Sequence, residues 1–268
     1  MNTNFSLGAR YLALTYVWSW TFWGALILSG RPLESFLSMA LFGIAGAGPL
    51  VSALVNIFFK SDSTYKRDYK RRIWDYRLIG RRWYAVIVFL IPLVSVIALG
   101  AYAAYASSFP QMQTLSSYAS SPLSLIPFAA FMLFFGPFPE ELGWRGPLQD
   151  SLESAYDWVR ASVIVGACWA CWHIPLFFVN GSYQQELATL SPLLVAYFFL
   201  AFFPLSVIMG WIRHNTNRSI LSAILFHFFT NYIGEILDLP AGAMYVRTGI
   251  ELVLAAVLAV SWFRKGKD

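Results

Sequence analysis

The sequence predicts an all-α, polytopic membrane protein, and three observations lead to this fold class. Of the 268 residues, 58% are hydrophobic and only 12% are charged, whereas about a quarter of the residues in a soluble domain are charged. The apolar residues form continuous runs of roughly 20, the length that a helix needs to cross a bilayer. Transmembrane β-strands would instead alternate apolar and polar residues. We therefore expect a transmembrane helical bundle.

Eight apolar segments are long enough to be spans, and residues 1–268 are predicted to form a single integral-membrane domain. The predicted spans cover residues 9–30, 35–59, 83–106, 123–147, 158–180, 189–212, 218–237 and 243–263. Prolines and glycines interrupt several of them, which a membrane tolerates where neighbouring helices satisfy the freed backbone groups. The pattern thus predicts about eight spans with broken helices around an intramembrane cavity.

Lysine and arginine predict the orientation of the chain. If the N-terminus is cytoplasmic, only Arg31 and Arg247 of the 19 basic residues fall on the outer side. The inner side then holds the loop 60–82 and the C-terminal tail with Arg264 and Lys267. This distribution follows the positive-inside rule. We expect a multi-pass protein with both termini in the cytoplasm.

The basic loop 60–82 also contains tyrosines and tryptophans, a mixture that suits the anionic lipids of the inner leaflet. We expect membrane lipids as partners and no nucleic acid, because basic residues beside a span already act as topology determinants. Cys168 and Cys171 lack a second pair that would complete a zinc site. We expect them to be small buried residues.

Two adjacent glutamates interrupt the fourth apolar segment. Glu140 and Glu141 follow two prolines, and both residue types favour the first turn of a helix. We therefore expect a broken span that restarts at the glutamates. Glu141 and Arg145 are four residues apart and can pair, while Glu140 points about 100° away. In a plainer interpretation, both carboxylates simply cap a helix at the membrane surface. Against this, an unpaired carboxylate among apolar residues is costly.

Three further polar side chains lie in later apolar segments. His173 follows Trp169 by four residues, and His227 precedes Asn231 by four, so the last two share a helix face. Each alone would fit a core histidine or a hydrogen bond between helices. Counted from the inner ends of the spans, all three lie in the inner half to the middle of the bilayer. We expect them to share with Glu140 a polar cavity open to the cytoplasm.

Such a set of side chains is suited to hydrolysis by an activated water. A carboxylate in an apolar site can accept a proton from water, and a neighbouring histidine can orient that water. A second histidine and an asparagine can donate hydrogen bonds to an oxyanion. Neither the H-E-x-x-H of zinc proteases nor the G-x-S-x-G of serine hydrolases occurs. A proton-coupled transporter is the alternative, because intramembrane Glu and His also build proton relays.

Three motifs, in chain order, resemble those of the CPBP intramembrane protease family. They are Glu140-Glu141-x-x-x-Arg145, an aromatic residue four positions before His173, and His227-x-x-x-Asn231. The family includes the type II CAAX prenyl endopeptidases and the bacteriocin self-immunity (Abi-type) proteins. Trp169 stands where the second motif often has Phe, so the aromatic character is kept.

The resemblance implies a glutamate-dependent endopeptidase with its catalytic core at about residues 123–237. Glu140 and His173 would activate the water, His227 and Asn231 would stabilise the oxyanion, and Glu141 and Arg145 would support the motif helix. The type II CAAX members remove the last three residues of a prenylated Cys-a-a-X sequence at the cytoplasmic face. The expected partner is therefore a prenylated or membrane-embedded peptide or protein.

Zinc is the alternative cofactor, because Glu140, His173 and His227 could form a His₂Glu site. We expect no cofactor, since Asn231 is a poor zinc ligand and a good oxyanion donor, and the paired histidines of zinc proteases are absent. A catalytically idle immunity or scaffold protein of the same fold is a further alternative, against which the intact residue set argues.

Overall fold

The computed structural model describes residues 3–265, and every regular element in this range is a helix. The α-helices are α1 (Thr3–Ser29), α2 (Phe36–Gly46), α3 (Gly48–Lys60), α4 (Ser63–Trp74), α5 (Arg81–Ala106), α6 (Gln113–Ser120), α7 (Leu125–Phe134), α8 (Pro137–Gly143), α9 (Gln149–Glu153), α10 (Trp158–Trp172), α11 (Tyr183–Leu190), α12 (Pro192–Asn215), α13 (Ile220–Leu237) and α14 (Ala241–Lys265). The predicted all-α class is confirmed. Lys267, counted above with the cytoplasmic tail, lies outside the described residues.

In the described part of the chain, seven helical segments are long and apolar enough to cross a membrane, and one bent pair raises the number to eight. The bent pair is α2 and α3, whose axes differ by 43°. Pro49 in the first turn of α3 has no backbone N–H to continue the hydrogen bonds of α2. The eight segments coincide with the eight predicted spans to within a few residues, except that the fourth continues to Glu153.

The outside of the bundle is apolar, as a lipid environment requires. Leu28, Phe36 and Tyr105 are between 89% and 91% exposed, and soluble monomers rarely present extensive apolar surface. The interior is filled by large aromatic side chains, of which Trp23 and Trp144 are fully buried. The surface therefore supports an integral-membrane protein.

The fourth span is discontinuous, as its prolines predict. Helix α7 ends at Phe134, and α8 restarts at Pro137, so that Glu140 lies in its first turn. A π-helical turn, Trp144–Leu148, then connects α8 to α9, and its central Gly146 has the non-helical dihedrals φ −86° and ψ −114°. The break and the turn allow one span to present several polar residues in different directions.

Gly143 sets the depth at which α8 packs into the bundle. A Cβ added at this position would collide with the hydroxyl of Tyr11 on α1 and lie 2.8 Å from the backbone oxygen of Pro49 on α3. Only a glycine lets the three helices approach this closely. The glutamates that precede Gly143 are thereby held inside the bundle rather than at its surface.

The basic loop is a packed element rather than an open loop, because it contains α4. Tyr69 of α4 donates a hydrogen bond of 2.8 Å to the carbonyl oxygen of Leu142 in α8. Burial disfavours the charged form of Arg72, but its contact with Asp150 outweighs this and raises the pKa of Arg72. Helix α4 therefore braces the segment that carries the glutamates.

Asp150 of α9 is the centre of a buried ion-pair cluster. Its carboxylate accepts hydrogen bonds from Tyr65, Arg72, Arg213 and Arg218. Arg145 and Arg213, which the positive-inside rule assigns to the cytoplasmic side, are fully buried. A buried charge requires a partner, so these two arginines hold helices together in addition to any effect on orientation.

Candidate active site

A cavity of about 480 Å³ lies among α8, α10, α12, α13 and α14. The four candidate residues, Glu140, His173, His227 and Asn231, all line it. Glu140 comes from the restarted helix α8, His173 from the end of α10, and the other two from successive turns of α13. The structure thus brings together, from three spans, the side chains that the sequence analysis singled out.

Glu140 is held by Trp169, a residue for which the sequence predicts no contact. The indole Nε1 of Trp169 donates a hydrogen bond of 2.6 Å to Glu140 Oε2. Trp169 is buried, and its ring contacts those of Phe202 and His227 at centroid distances of 4.7 and 4.9 Å. The aromatic residue of the second motif was the one feature of the sequence that pointed to this contact. Its partner could not be predicted, because the two residues are 29 positions apart.

Glu141, His227 and Asn231 form a hydrogen-bonded chain. Glu141 Oε1 is 2.9 Å from His227 Nδ1, and His227 Nε2 is 3.1 Å from Asn231 Nδ2. The carboxylate can only accept, so Nδ1 donates to it and the ring is oriented with Nε2 towards Asn231. This contact between Glu141 and His227 was not anticipated, because the predicted role of Glu141 was limited to its pairing with Arg145.

Arg145 makes the predicted ion pair, with its Nη1 3.2 Å from Glu141 Oε2. Its Nη2 lies 3.2 Å from Ser206 Oγ, and the guanidinium sits 5.0 Å from the centre of the Trp169 ring. Both members of the ion pair are fully buried. Arg145 therefore supports the site on two sides, through the Glu141 carboxylate and through the face of Trp169.

His173 caps the end of α10 and lines the cavity. Its Nδ1 is 2.9 Å from the carbonyl oxygen of Trp169, to which it donates, and this leaves Nε2 as an acceptor. The ring packs against Phe198 and Phe202 at centroid distances of 5.5 and 4.8 Å. His173 is thus bonded to a carbonyl, as the plainer interpretation expected, and it also contributes to the cavity wall.

A metal site does not emerge from this geometry. Within residues 3–265, no group of three or more His, Cys, Asp or Glu side chains is placed to hold a metal ion. The choice between a metal-free site and a zinc site at Glu140, His173 and His227 stays a prediction.

The two cysteines differ from expectation. Cys171 is exposed and Cys168 is half-buried, whereas the sequence analysis expected both to be buried. Cys168 packs against the buried core, whereas Cys171 faces outward. The neighbouring Trp169, Ala170 and Trp172 are buried, so the apolar sequence around Cys171 does not indicate that its own side chain is buried.

The cavity also extends away from the basic loop. Beyond the four candidates, its wall includes Tyr183, Tyr197, Asp238, Arg247 and Thr248. These positions lie at the ends of α11 to α14 away from the basic loop, because the opposite end of α13 meets that loop where Asn217 donates to Leu78. The ion pairs around Asp150 lie at the basic-loop end of the bundle. The opening of the cavity to the cytoplasm stays a prediction.

The fold and cavity define an integral, multi-pass membrane protein with a carboxylate, two histidines and an amide around an internal space. A family model described as type II CAAX prenyl endopeptidase Rce1-like matches residues 122–233. The CAAX prenyl protease 2 of Methanococcus maripaludis is 30% identical over 250 residues, which cover 92% of this chain and 91% of that protein.

Lysostaphin resistance proteins A are also similar. The protein from Staphylococcus haemolyticus is 30% identical over 76% of this chain, and that from Staphylococcus aureus strain Newman is 28% identical over 82%. The chain spans about half the length of these two proteins, 51% in each case.

The chain belongs to the Rce1-like family of type II CAAX prenyl endopeptidases. It is therefore a peptidase of the multi-pass membrane type, rather than the transporter considered as an alternative.

Proposed function

We propose that this peptidase is a glutamate-dependent intramembrane endopeptidase that uses an activated water and no metal ion. Its substrate is a prenylated or otherwise membrane-associated protein, cut near the C-terminus. The observation that carries the proposal is the convergence of Glu140, His173 and the His227–Asn231 pair on one cavity. These are the groups that a hydrolysis without a covalent intermediate requires.

Glu140 acts as the general base. Trp169 occupies its Oε2, so Oε1 takes a proton from a water that His173 Nε2 helps to orient. The water oxygen bonds to the scissile carbonyl carbon, and the carbonyl oxygen becomes an oxyanion. Glu140 then passes the same proton to the amide nitrogen as the carbon–nitrogen bond breaks, which restores the carboxylate and releases a carboxylic acid and an amine.

His227 and Asn231 stabilise the oxyanion. One N–H of the Asn231 amide donates to His227 Nε2, and its second N–H is free to donate to the oxyanion. The Glu141 carboxylate accepts from His227 Nδ1 and fixes the ring, so that His227 in turn positions the Asn231 amide. Donors held rigidly where charge develops stabilise the transition state more than the ground state.

The chemistry of the cavity supports a short peptide segment as the reacting part of the substrate. A volume of about 480 Å³ is within the range of small-ligand pockets and too small for a folded domain. Met132, Phe198 and Phe202 supply apolar wall. The prenyl specificity is inferred from the family and from the relative named CAAX prenyl protease 2.

The test is a cleavage assay with the full chain, purified in detergent, and an internally quenched farnesylated peptide ending in Cys-a-a-X. The parent protein should release the C-terminal fragment without an added metal or an ion gradient, and Glu140→Ala should reduce the rate by at least about 1000-fold. Glu34→Ala is the matched control, because Glu34 is exposed and outside the cavity.

Equal cleavage by the parent and a folded Glu140→Ala protein would disprove the role of Glu140. Loss of parent activity in a strong chelator, with recovery on addition of zinc, would instead establish the metal-dependent mechanism. Mass spectrometry of the products identifies the bond that is cut.

A further inference from the structure

Arg247 places a buried positive charge at the end of the cavity away from the basic loop. It lies on α14, lines the cavity and is only 8% exposed. Among the described residues that line this cavity, it is the only lysine or arginine. Charged side chains in a membrane interior are costly and usually serve a function. The mechanism proposed above does not use Arg247.

The guanidinium of Arg247 is only partly engaged within the protein. Its Nε donates a hydrogen bond of 2.9 Å to Glu251 Oε1, but neither Nη atom makes a hydrogen bond to any described residue. Nη1 lies beside the backbone of α13, 3.5 Å from the position that a Cβ on Gly234 would occupy. The planar fork of an arginine is suited to bind both oxygens of a carboxylate.

Two carboxylates lie at this end of the cavity without binding the Nη atoms of Arg247. Glu235 and Asp238 line the same end of the cavity, and neither comes within salt-bridge distance of Arg247 or of any other described basic side chain. Their charges repel an anion elsewhere in this end of the cavity. Of the described groups in this end of the cavity, the Nη atoms of Arg247 are the ones that can donate charge-assisted hydrogen bonds to a bound carboxylate.

The distance from the oxyanion donors to Arg247 corresponds to a short length of peptide. His227 and Asn231 precede Gly234 by seven and three residues on α13, which corresponds to about 10 Å and about 5 Å along the helix. An extended peptide spans about 3.4 Å per residue, so one to three residues cover this distance. A peptide whose scissile carbonyl lies at His227 and Asn231 and whose chain runs away from the basic loop would place its C-terminus near the fork.

We propose that Arg247 binds the terminal carboxylate of the substrate and thereby sets how far from the C-terminus the chain is cut. The inference rests on the proposed endopeptidase function and adds a specificity-determining residue to it. The ligand is the free α-carboxylate of a peptide, with Glu251 as the residue that orients the guanidinium.

Two quenched farnesylated peptides that differ only in a C-terminal acid or amide test the proposal. The parent should cleave the acid with a kcat/KM about 10- to 100-fold above that of the amide, the effect of a charge-assisted hydrogen-bonded pair. Arg247→Gln should lower the acid rate to that of the amide and leave the amide rate within about threefold. Arg160→Gln, an exposed arginine on α10, is the matched control and should keep the parent ratio.

A measurement on the parent alone covers the case in which Arg247→Gln does not fold. The free tripeptide released by cleavage should inhibit the parent at least about tenfold more strongly than its amide. Equal cleavage of acid and amide by the parent, equal inhibition by both tripeptides, or an equal loss of both activities in folded Arg247→Gln would overturn the role of Arg247. Each of these results leaves the endopeptidase function intact if Glu140→Ala is inactive, whereas an active Glu140→Ala protein refutes that function itself.

Discussion

Trp169 connects the two residues that we propose to activate water. Its indole donates to Glu140, and its backbone carbonyl accepts from His173 one helical turn later. The guanidinium of Arg145 lies over the same ring. Because one residue holds both groups, the position of the base relative to the histidine depends on the packing of a single side chain.

Asn231 provides the sharpest test at the scale of the residue. Replacement by alanine removes one oxyanion donor and leaves His227 bonded to Glu141. We expect kcat to fall by about 10²- to 10³-fold with little change in KM, because the lost hydrogen bond forms fully only in the transition state. Steady-state kinetics on a quenched farnesylated peptide measures both constants.

Asn215→Ala is the matched control for Asn231→Ala. Asn215 is exposed at the end of α12, where its amide donates 2.8 Å to the carbonyl of Trp211, so kcat should be unchanged. A rise in KM alone in Asn231→Ala would show that the amide binds substrate and transition state equally well, which would refute an oxyanion role.

At this scale, the sequence predicts contacts within one helix much better than contacts between helices. The spacing of Glu141 and Arg145 predicts their ion pair, and that of His227 and Asn231 predicts a shared face. The bond from Glu141 to His227 joins residues 86 positions apart, and it depends on how α8 and α13 pack. Composition and spacing contain no record of that packing.

Among the structural elements, α8 is the most tightly constrained by its neighbours. Gly143→Ala should destabilise the protein by about 1 to 3 kcal/mol, because the new methyl group meets Tyr11 and the backbone oxygen of Pro49. Displacement of α8 would also move Glu140, so activity should fall. Thermal unfolding in detergent and the cleavage assay measure the two effects.

Gly100→Ala isolates the effect of the collision from that of replacing a helical glycine. Gly100 is exposed in α5, and an added Cβ there meets nothing within 4 Å. Its replacement should be neutral or stabilise by up to about 1 kcal/mol. If both variants unfold at the temperature of the parent, the close approach of α1, α3 and α8 does not limit stability.

Helix α4 illustrates why an element can be located but not interpreted from sequence. Its lysines and arginines predict a position beside the inner leaflet. The structure adds that Arg72 is buried against Asp150 and that Tyr69 bonds to the backbone of α8. A basic residue in the sequence looks the same whether its partner is a lipid phosphate or a buried aspartate.

For the molecule as a whole, hydrophobicity predicts the eight spans, because length and composition alone decide whether a helix can cross a bilayer. The extent of the cavity towards Arg247 depends on how α11 to α14 pack, which hydrophobicity does not encode. With the basic loop in the cytoplasm, the proposed substrate lies with its cleavage site between Glu140 and Asn231, and its C-terminus points towards Arg247 in the outer half of the bilayer.

The orientation of the whole molecule is open to a direct test by cysteine labelling. In a background with Cys168 and Cys171 replaced by alanine, Arg67→Cys marks the exposed face of α4 and Ser108→Cys marks an exposed loop after α5. The positive-inside rule predicts that a membrane-impermeant maleimide labels Ser108→Cys in intact cells and Arg67→Cys only after permeabilisation.

The cysteine-free protein should remain unlabelled throughout, which shows that any signal comes from the introduced thiol. The reverse pattern would place the basic loop outside the cell and the Arg247 end of the cavity towards the cytoplasm. A substrate anchored in the inner leaflet would then enter at the Arg247 end, and its C-terminus would have to turn back to bind that arginine while the scissile bond lies at Glu140. The labelling result therefore decides whether the direction of the peptide in the cavity agrees with the membrane side from which it enters.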